Sequence, residues 1–472
     1  MMIRPIKIFL YFVLIVLLVA ILNQGLNNAG ISMVPELNVL KKTKDTDSVS
    51  FSQNIFPEEE LSEDDSITQN QNNSMPLGDN LSTPFAFNIT TDSLLTAPPG
   101  FQKRFILFCR KAAGAISDKK VIRVLHIGDS QIEADRITGI LRLHFQDLYQ
   151  GSGPGFILPF DPLHINATVG IDNTGTWHLE YSYRKGIYPM KILFGFSGKA
   201  AWFSGQEGGL IISSLPWKPR HLGQYPNVRL FFTSTDTVSL QIFNNDTLIS
   251  NSTILPSDSL QVISCNSKKT PGKTKLSFHA VNSPVIHGIT LDAGSGVAVD
   301  NIPMRGRPWP GIRIANDSML KQMSRSLNIG MIILQFGTNI LPTETNNYSF
   351  YRTHFIKELQ LLRKLLPDVP VLVIGVQAAA KIVDGELTPM EHARLIAEAQ
   401  KSAALACDMG FFDLHKAMGG TTGAVEWSEQ SPSLMLSDYM HFSSTGAKIV
   451  GDRIWQAIDS LRVDLTKTNK PE

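Results

Sequence analysis

Three short segments hold side chains that could do chemistry together: HIGDSQ ending at Gln131, LQFGTN ending at Asn339, and SDYMHFSSTG ending at Gly446. The first offers a hydroxyl nucleophile, Ser130. The second offers a side-chain amide, Asn339. The third offers a carboxylate and an imidazole three residues apart, Asp438 and His441. This set is what acyl transfer at an ester needs. The imidazole takes the serine proton and later returns it to the leaving group, the carboxylate fixes the ring tautomer, and the amide donates to the oxyanion. One oxyanion donor typically stabilises the transition state by about 3 kcal/mol.

Each residue also has an ordinary reading. A serine after a strand is a frequent helix cap, an asparagine a frequent turn residue, and an isolated histidine usually belongs to the surface or to a satisfied core. The combination is what speaks for chemistry, because serine and amide each follow a predicted strand and the Asp-His pair comes last, on the loop before a predicted closing helix. A remaining oxyanion donor is expected from a backbone N–H at a glycine, where a missing side chain lets the substrate oxygen approach. Gly306, in VAVDNIPMRGRPW, follows an apolar strand-like run; Gly153 and Gly155, in GSGPGF, are the competing choice.

Hydrophobic spacing predicts the elements that must position these groups. A helix is expected over 101–113 and a buried strand over 121–127. Ile137, Ile140, Leu141, Phe145 and Leu148 then recur at helical spacing, which puts Ser130 where a strand hands over to a helix, its N–H free at the positive end of the dipole. Strands over 331–336, 369–376 and 410–414 alternate with helices over 350–366, 390–406 and 442–461. That alternation predicts an α/β fold with a parallel sheet covered on both faces, in which ligands bind at the carboxyl ends of the strands.

Between 170 and 296 the rhythm changes. Short alternating segments at 177–183, 191–196, 228–233, 238–243 and 275–280 are separated by Gly, Pro, Asn and Ser, as expected for an inserted antiparallel β-sandwich. Its aromatics, Trp177, Tyr181, Tyr183, Trp202 and Trp217, fit two roles: simple core, or a platform on which sugar rings stack.

At the N-terminus, Arg4 and Lys7 precede an unbroken apolar run over 8–22. As a helix it would be about 22 Å long, against the ~30 Å of a bilayer's hydrocarbon core. An uncleaved membrane anchor is the favoured reading and a cleaved signal the alternative, since the residues that follow match a cleavage site poorly. Either places the remainder outside the cytoplasm. The expected organisation is an anchor or signal over 1–25, a disordered polar and acidic tether over 26–97, an α/β domain in two parts over 98–169 and 297–465, the insertion over 170–296, and a tail over 466–472. With 43 Lys and Arg against 42 Asp and Glu, no basic excess speaks for a nucleic-acid partner. Cys109, Cys265 and Cys407 each have apolar neighbours and show no metal-ligand spacing, so they are expected as buried thiols.

The four blocks, in this order, resemble those of the SGNH or GDSL esterases and acyltransferases. The GDSQI start, GSGPGF, VDNIPMRG, AMGG and DYMHFSSTG are similar, more narrowly, to the branch of peptidoglycan and polysaccharide O-acetyl esterases and O-acetyltransferases. The resemblance covers about 121–169 and 297–461. It implies a flavodoxin-like three-layer α/β domain with an inserted carbohydrate-binding-type sandwich. Carried over by motif, Ser130 is the nucleophile and first oxyanion N–H, Gly306 the second donor, Asn339 the third, and Asp438 and His441 complete the triad. It also implies a glycan substrate, no metal or organic cofactor, and, for the transferase alternative, a membrane-bound acyl-donor protein as partner. A third alternative is a non-catalytic carbohydrate-binding protein. Arg305 and Arg307 flank the candidate glycine and are read as a solvated pair or as contacts to an anionic glycan. Two positions depart from the pattern: Gln131 stands where many relatives have His, and VQA at 376–378 replaces a Pro-containing segment. Both departures are expected to bear on substrate choice.

Overall fold

The computed structural model describes residues 94–161, 168–184, 192–215 and 220–468. The apolar run over 8–22, the tether up to residue 93, Trp217 and the end of the tail lie outside the described residues. Among the described residues, no helix is long and apolar enough to cross a membrane.

The described residues open with β1 (Leu95–Thr96), α1 (Pro99–Gly114), β2 (Val121–Gly128) and α2 (Thr138–Tyr149). Among the described residues, nine antiparallel strands follow: β3 (Gly155–Ile157), β4 (Val169–Tyr181), β5 (Lys199–Ser214), β6 (Asn227–Ser234), β7 (Val238–Asn244), β8 (Thr247–Ile254), β9 (Ser257–Asn266), β10 (Lys273–His279) and β11 (Val285–Asp292). The α/β pattern resumes with β12 (Gly296–Pro303), α3 (Asp317–Leu327), β13 (Ile329–Gln335), α4 (Ser349–Leu365) and β14 (Val371–Ile374). A hairpin, β15 (Ala380–Val383) and β16 (Glu386–Pro389), precedes α5 (Ala393–Ala406), β17 (Gly410–Phe412), α6 (Leu414–Ala417), α7 (Gly423–Ser428) and α8 (Ser444–Thr468).

The first sheet runs β1-β17-β14-β13-β2-β12, parallel except for β1. Taken in chain order, its five parallel strands lie 2-1-3-4-5, the flavodoxin-like order. The order reverses at β2, so the crevice that such a reversal opens lies beyond the carboxyl ends of β2, β12 and β13. Ser130, Gly306 and Asn339 each follow one of these three strands.

Alternation along the strands builds the three layers. Ile122 and Val124 of β2, Met331 and Ile333 of β13, and Leu372 and Ile374 of β14 pack against α1, α2 and α8. Their neighbours Leu125, Ile127, Ile332, Leu334, Val371 and Val373 pack against α3, α4 and α5 on the other face. A period of two sends successive side chains to opposite faces, and each fully buried one stabilises the fold by about 1.5–3 kcal/mol. Helix α3 was not expected from the spacing. Its apolar face, Met319, Leu320, Met323 and Leu327, is buried, and the Asn316 side chain caps it by accepting the Met319 N–H at 3.0 Å. At the other edge, the last residues of the expected tether are ordered: Leu94 is buried and Leu95–Thr96 pairs with Phe411 and Phe412.

The insertion lies between α2 and β12. It is one hydrogen-bonded antiparallel sheet rather than two separate ones, because the long strand β5 pairs with β4 along its length, with β10 over 207–213 and with β11 at Ala201. Its core is Trp177, Phe203, Leu210, Ile212, Leu230, Phe232, Leu240, Leu276, Phe278 and their neighbours. The antiparallel sheet already includes Gly155–Ile157 of β3, whereas residues 192–196, expected as a strand, form none. A buried ion network binds the insertion to the parallel sheet. Arg123 of β2 is 0% exposed and reaches Asp300 of β12 at 2.7 Å and Asp292 of β11 on its other side. Asp300 Oδ1 also accepts the Phe156 N–H of β3 at 2.9 Å.

Candidate active site

The chain leaves β2 at Gly128 and turns at once on Asp129. This carboxylate is fully buried, and burial raises its pKa, partly offset by the N–H groups it accepts. Oδ1 accepts the Gln131 N–H at 3.0 Å and Oδ2 the Thr338 N–H at 3.1 Å, so one side chain joins the loop after β2 to the loop after β13.

Ser130 begins a short 3₁₀ helix, Ser130–Asp135, instead of a regular one. That helix breaks at Glu133, which is extended, and at Ala134 and Asp135, which take positive φ of 54° and 60°. Arg142 of α2 holds the break by binding both oxygens of Asp135 at 2.9 and 3.0 Å. The dipole of α2, which starts only at Thr138, therefore does not begin at the serine. Arg136 gives a different support. Its guanidinium donates to Ser130 O at 2.7 Å and to Phe442 O at 3.2 Å, tying the serine loop to the residue after His441.

Ser130 Oγ lies 2.7 Å from His441 Nε2, and His441 Nδ1 lies 2.6 Å from Asp438 Oδ2. Burial works to raise the pKa of Asp438, but hydrogen bonds from the His441 ring, the His441 N–H and the Met440 N–H outweigh it and hold the carboxyl well below the usual carboxylate range. An ionised Asp438 accepts from Nδ1–H, which leaves Nε2 as the proton acceptor facing the serine.

Gly306 sits in the turn that follows β12, with φ of 72° and open space where a Cβ would stand. The conformation, not crowding, is what asks for glycine there. The turn is tied to β2 through Met304 N–H donating to Gly128 O at 2.7 Å. Asn339 reaches the same turn, its Nδ2 donating to Arg307 O at 3.2 Å. Gly153 and Gly155 are placed elsewhere. The Gly153 N–H is spent on His221 O, and a Cβ at Gly155 would run into Asp300 and Val299.

The two flanking arginines differ. Arg307 lies over the Tyr183 ring at 5.0 Å, so the insertion reaches the rim beside Gly306. Arg305 is 40% exposed and faces Glu133 at 3.8 Å. Of the insertion's aromatics, Trp177 is core, packed on Phe203 and Phe278, and Tyr181 is buried. Trp202 stacks on His178 at 4.1 Å, and, among the described ones, Tyr183 alone is both exposed and beside the site.

Several supporting groups were not among the site residues expected from the sequence. Gln131 and Gln377, the two departures expected to affect substrate choice, both donate to Met440 O, at 2.7 and 3.0 Å, and so hold the residue before His441. Beneath the serine, Asn301 donates to Ile132 O at 3.0 Å and accepts from Thr138 at 3.1 Å; Thr138 Oγ1 is 2.9 Å from His126 Nδ1. Burial lowers the His126 pKa to about 3, so that ring is neutral. Cys109 and Cys407 are buried thiols as expected, while Cys265 is half-buried.

No family model matches the chain, and no curated protein matches it by sequence. Solved structures do. A peptidoglycan O-acetylesterase is 18% identical, with a TM-score of 0.60 over 78% of this chain and 99% of that one. A family two carbohydrate esterase from Clostridium thermocellum, in complex with cellohexaose, is 10% identical over 55% of this chain and 94% of that one, with a TM-score of 0.24. A salicylyl-acyltransferase from a tetracycline biosynthetic pathway is 10% identical over 65% and 97%, with a TM-score of 0.27. At these identities, what this chain shares with the O-acetylesterase is the fold.

Proposed function

We propose that this chain is a serine esterase of the SGNH or GDSL type, held outside the cytoplasm by its N-terminal apolar segment, that removes O-acetyl groups from a cell-wall or exported polysaccharide. The reading rests above all on the relay from Ser130 through His441 to Asp438, with contacts of 2.7 and 2.6 Å. Its placement at the reversal point of a flavodoxin-like sheet, and a fold shared with a peptidoglycan O-acetylesterase, support it.

In this mechanism His441 Nε2 takes the Ser130 proton as Oγ attacks the acetyl carbon. The developing oxyanion is met by the N–H groups of Ser130 and Gly306 and by Asn339 Nδ2, which leaves Arg307 O to do so. His441 then returns the proton to the sugar oxygen, and the alcohol departs. Water, deprotonated by the same ring, cleaves the acyl-enzyme to acetate. Arg305, part exposed beside Gly306, meets an anionic group on the glycan. Arg307 is occupied by the Tyr183 ring and shapes the rim.

Purified enzyme, given an activated acetyl ester with and without an acetyl-free oligosaccharide acceptor, tests the hydrolytic assignment. Acetate as the main product in both cases is the expected result. Acetylated sugar as the main product would instead establish the transferase.

A further inference from the structure

The residues that flank three of the proposed catalytic side chains, Ser130, His441 and Asn339, are joined to one another. Asp129 and Gln131 flank Ser130, Met440 precedes His441, and Thr338 precedes Asn339. Gln131 N–H donates to Asp129 Oδ1, and Gln131 Nε2 to Met440 O. Gln377 Nε2 donates to both Met440 O and Thr338 Oγ1, and Thr338 N–H returns to Asp129 Oδ2, at distances of 2.7–3.2 Å. The five bonds close a ring. Gln131 and Gln377 are 1% and 2% exposed, so water does not compete for these contacts.

We propose that this ring sets the mutual geometry of Ser130, His441 and Asn339, and that Gln131 and Gln377 are its positioning residues. The inference rests on the catalytic assignment above. The histidine loop needs such support. Tyr439 holds a positive φ of 55°, and between that residue and His441 the backbone oxygens are held by Ala380 N–H on Tyr439 O and by the two glutamine amides on Met440 O, with Arg136 on Phe442 O beyond the ring. A backbone carbonyl has two lone pairs, and here each is taken by a donor from a different loop: one from the residue next to the nucleophile, the other from the segment after β14. Removing either glutamine donor opens the ring and leaves the carbonyl next to His441 held from one side only, which lets Nε2 drift from Ser130 Oγ. A misplacement of about 1 Å can cost on the order of 100-fold in rate.

Gln131→Met and Gln377→Met keep the side-chain length and remove the donor. In the full chain, each is expected to lower kcat roughly 10- to 100-fold while KM changes by less than about threefold, because the substrate contacts remain. Since one break opens the ring, the double variant should lose no more than about threefold beyond the worse single variant. If a methionine variant does not fold by circular dichroism, the isosteric Gln131→Glu and Gln377→Glu variants are measured in its place. Wild-type kcat in folded single variants, or losses that multiply in the double, overturns the ring. Ser130→Ala run alongside separates the two claims: activity surviving there defeats the catalytic assignment itself, whereas a dead Ser130→Ala beside fully active glutamine variants defeats the ring alone.

Discussion

Asp438 grips His441 with both oxygens: Oδ2 lies 2.6 Å from ring Nδ1, and Oδ1 accepts the backbone N–H at 2.9 Å. The same carboxylate thus fixes the ring's tautomer and the path of its loop. Asp438→Asn preserves the shape but offers an amide N–H to Nδ1, which favours the tautomer with Nε2 protonated and unable to accept from Ser130. Steady-state hydrolysis of an acetyl ester should show kcat lower by about 10³-fold or more, with the variant folded. A loss under tenfold would remove Asp438 from the relay.

Asn339 and the Gly306 turn are held together by Nδ2 donating to Arg307 O. Asn339→Ala removes an oxyanion donor and leaves the nucleophile untouched. The expected loss is about 10²- to 10³-fold in kcat, with KM nearly constant. A change confined to KM would make Asn339 a substrate-binding residue instead.

Arg123 joins the insertion to the parallel sheet with its charge fully buried between Asp292 and Asp300. Replacing it by Met leaves two carboxylates buried without their partner. Breaking a buried ion pair in this way costs about 3–5 kcal/mol. Arg123→Met should therefore unfold at much lower temperature than the wild type in a calorimetric scan, and adding Asp292→Asn and Asp300→Asn should restore part of the loss. An unchanged midpoint for the single variant would show that the network contributes nothing to stability.

Acid sensitivity should be traceable to His126. Its ordinary pKa of 6.5 falls to about 3 in the folded chain because burial penalises the charged ring. Between those values the unfolded chain binds a proton that the folded one does not, so stability falls as pH drops from 6.5 toward 3. His287, lowered to about 4 by burial, acts in the same direction. Asp438, with its carboxyl held low, adds stability above its ordinary value of 3.8 and loses it only in stronger acid. Unfolding midpoints measured from pH 7 to 4 should fall less steeply in His126→Gln than in the wild type; equal slopes would mean that the ring does not titrate in this way.

Much of this was legible in the sequence because it depends on local pattern. Short apolar runs in β2, β13 and β14, alternating with helices, announced a sheet buried on both faces, and Ser130, Asn339, Asp438 and His441 announced themselves by type and order. The rest depends on contacts between distant segments. Arg136 looks like any helix-entry arginine until Phe442 O is seen beside it. Gln131 and the VQA segment that holds Gln377 are read in the sequence only as departures bearing on substrate choice, because nothing local indicates that the two glutamines meet on one carbonyl. Ser130 was expected at a regular helix start, and the break at Ala134 and Asp135 depends on Arg142 binding Asp135 from the following helix. Trp177 was ambiguous for a general reason: an aromatic at strand spacing serves a core or a binding face equally well until the opposite side of the sheet is known.

Acylation of Ser130 is the most direct test of the central claim. The full chain is mixed rapidly with an activated acetyl ester, quenched in acid and digested, and its peptides are weighed. The expected result is one added acetyl group on the peptide containing Ser130, formed in a burst before steady turnover, and absent, along with turnover, in Ser130→Ala. Steady turnover with no acetyl on that peptide, or turnover that survives Ser130→Ala, would contradict the account.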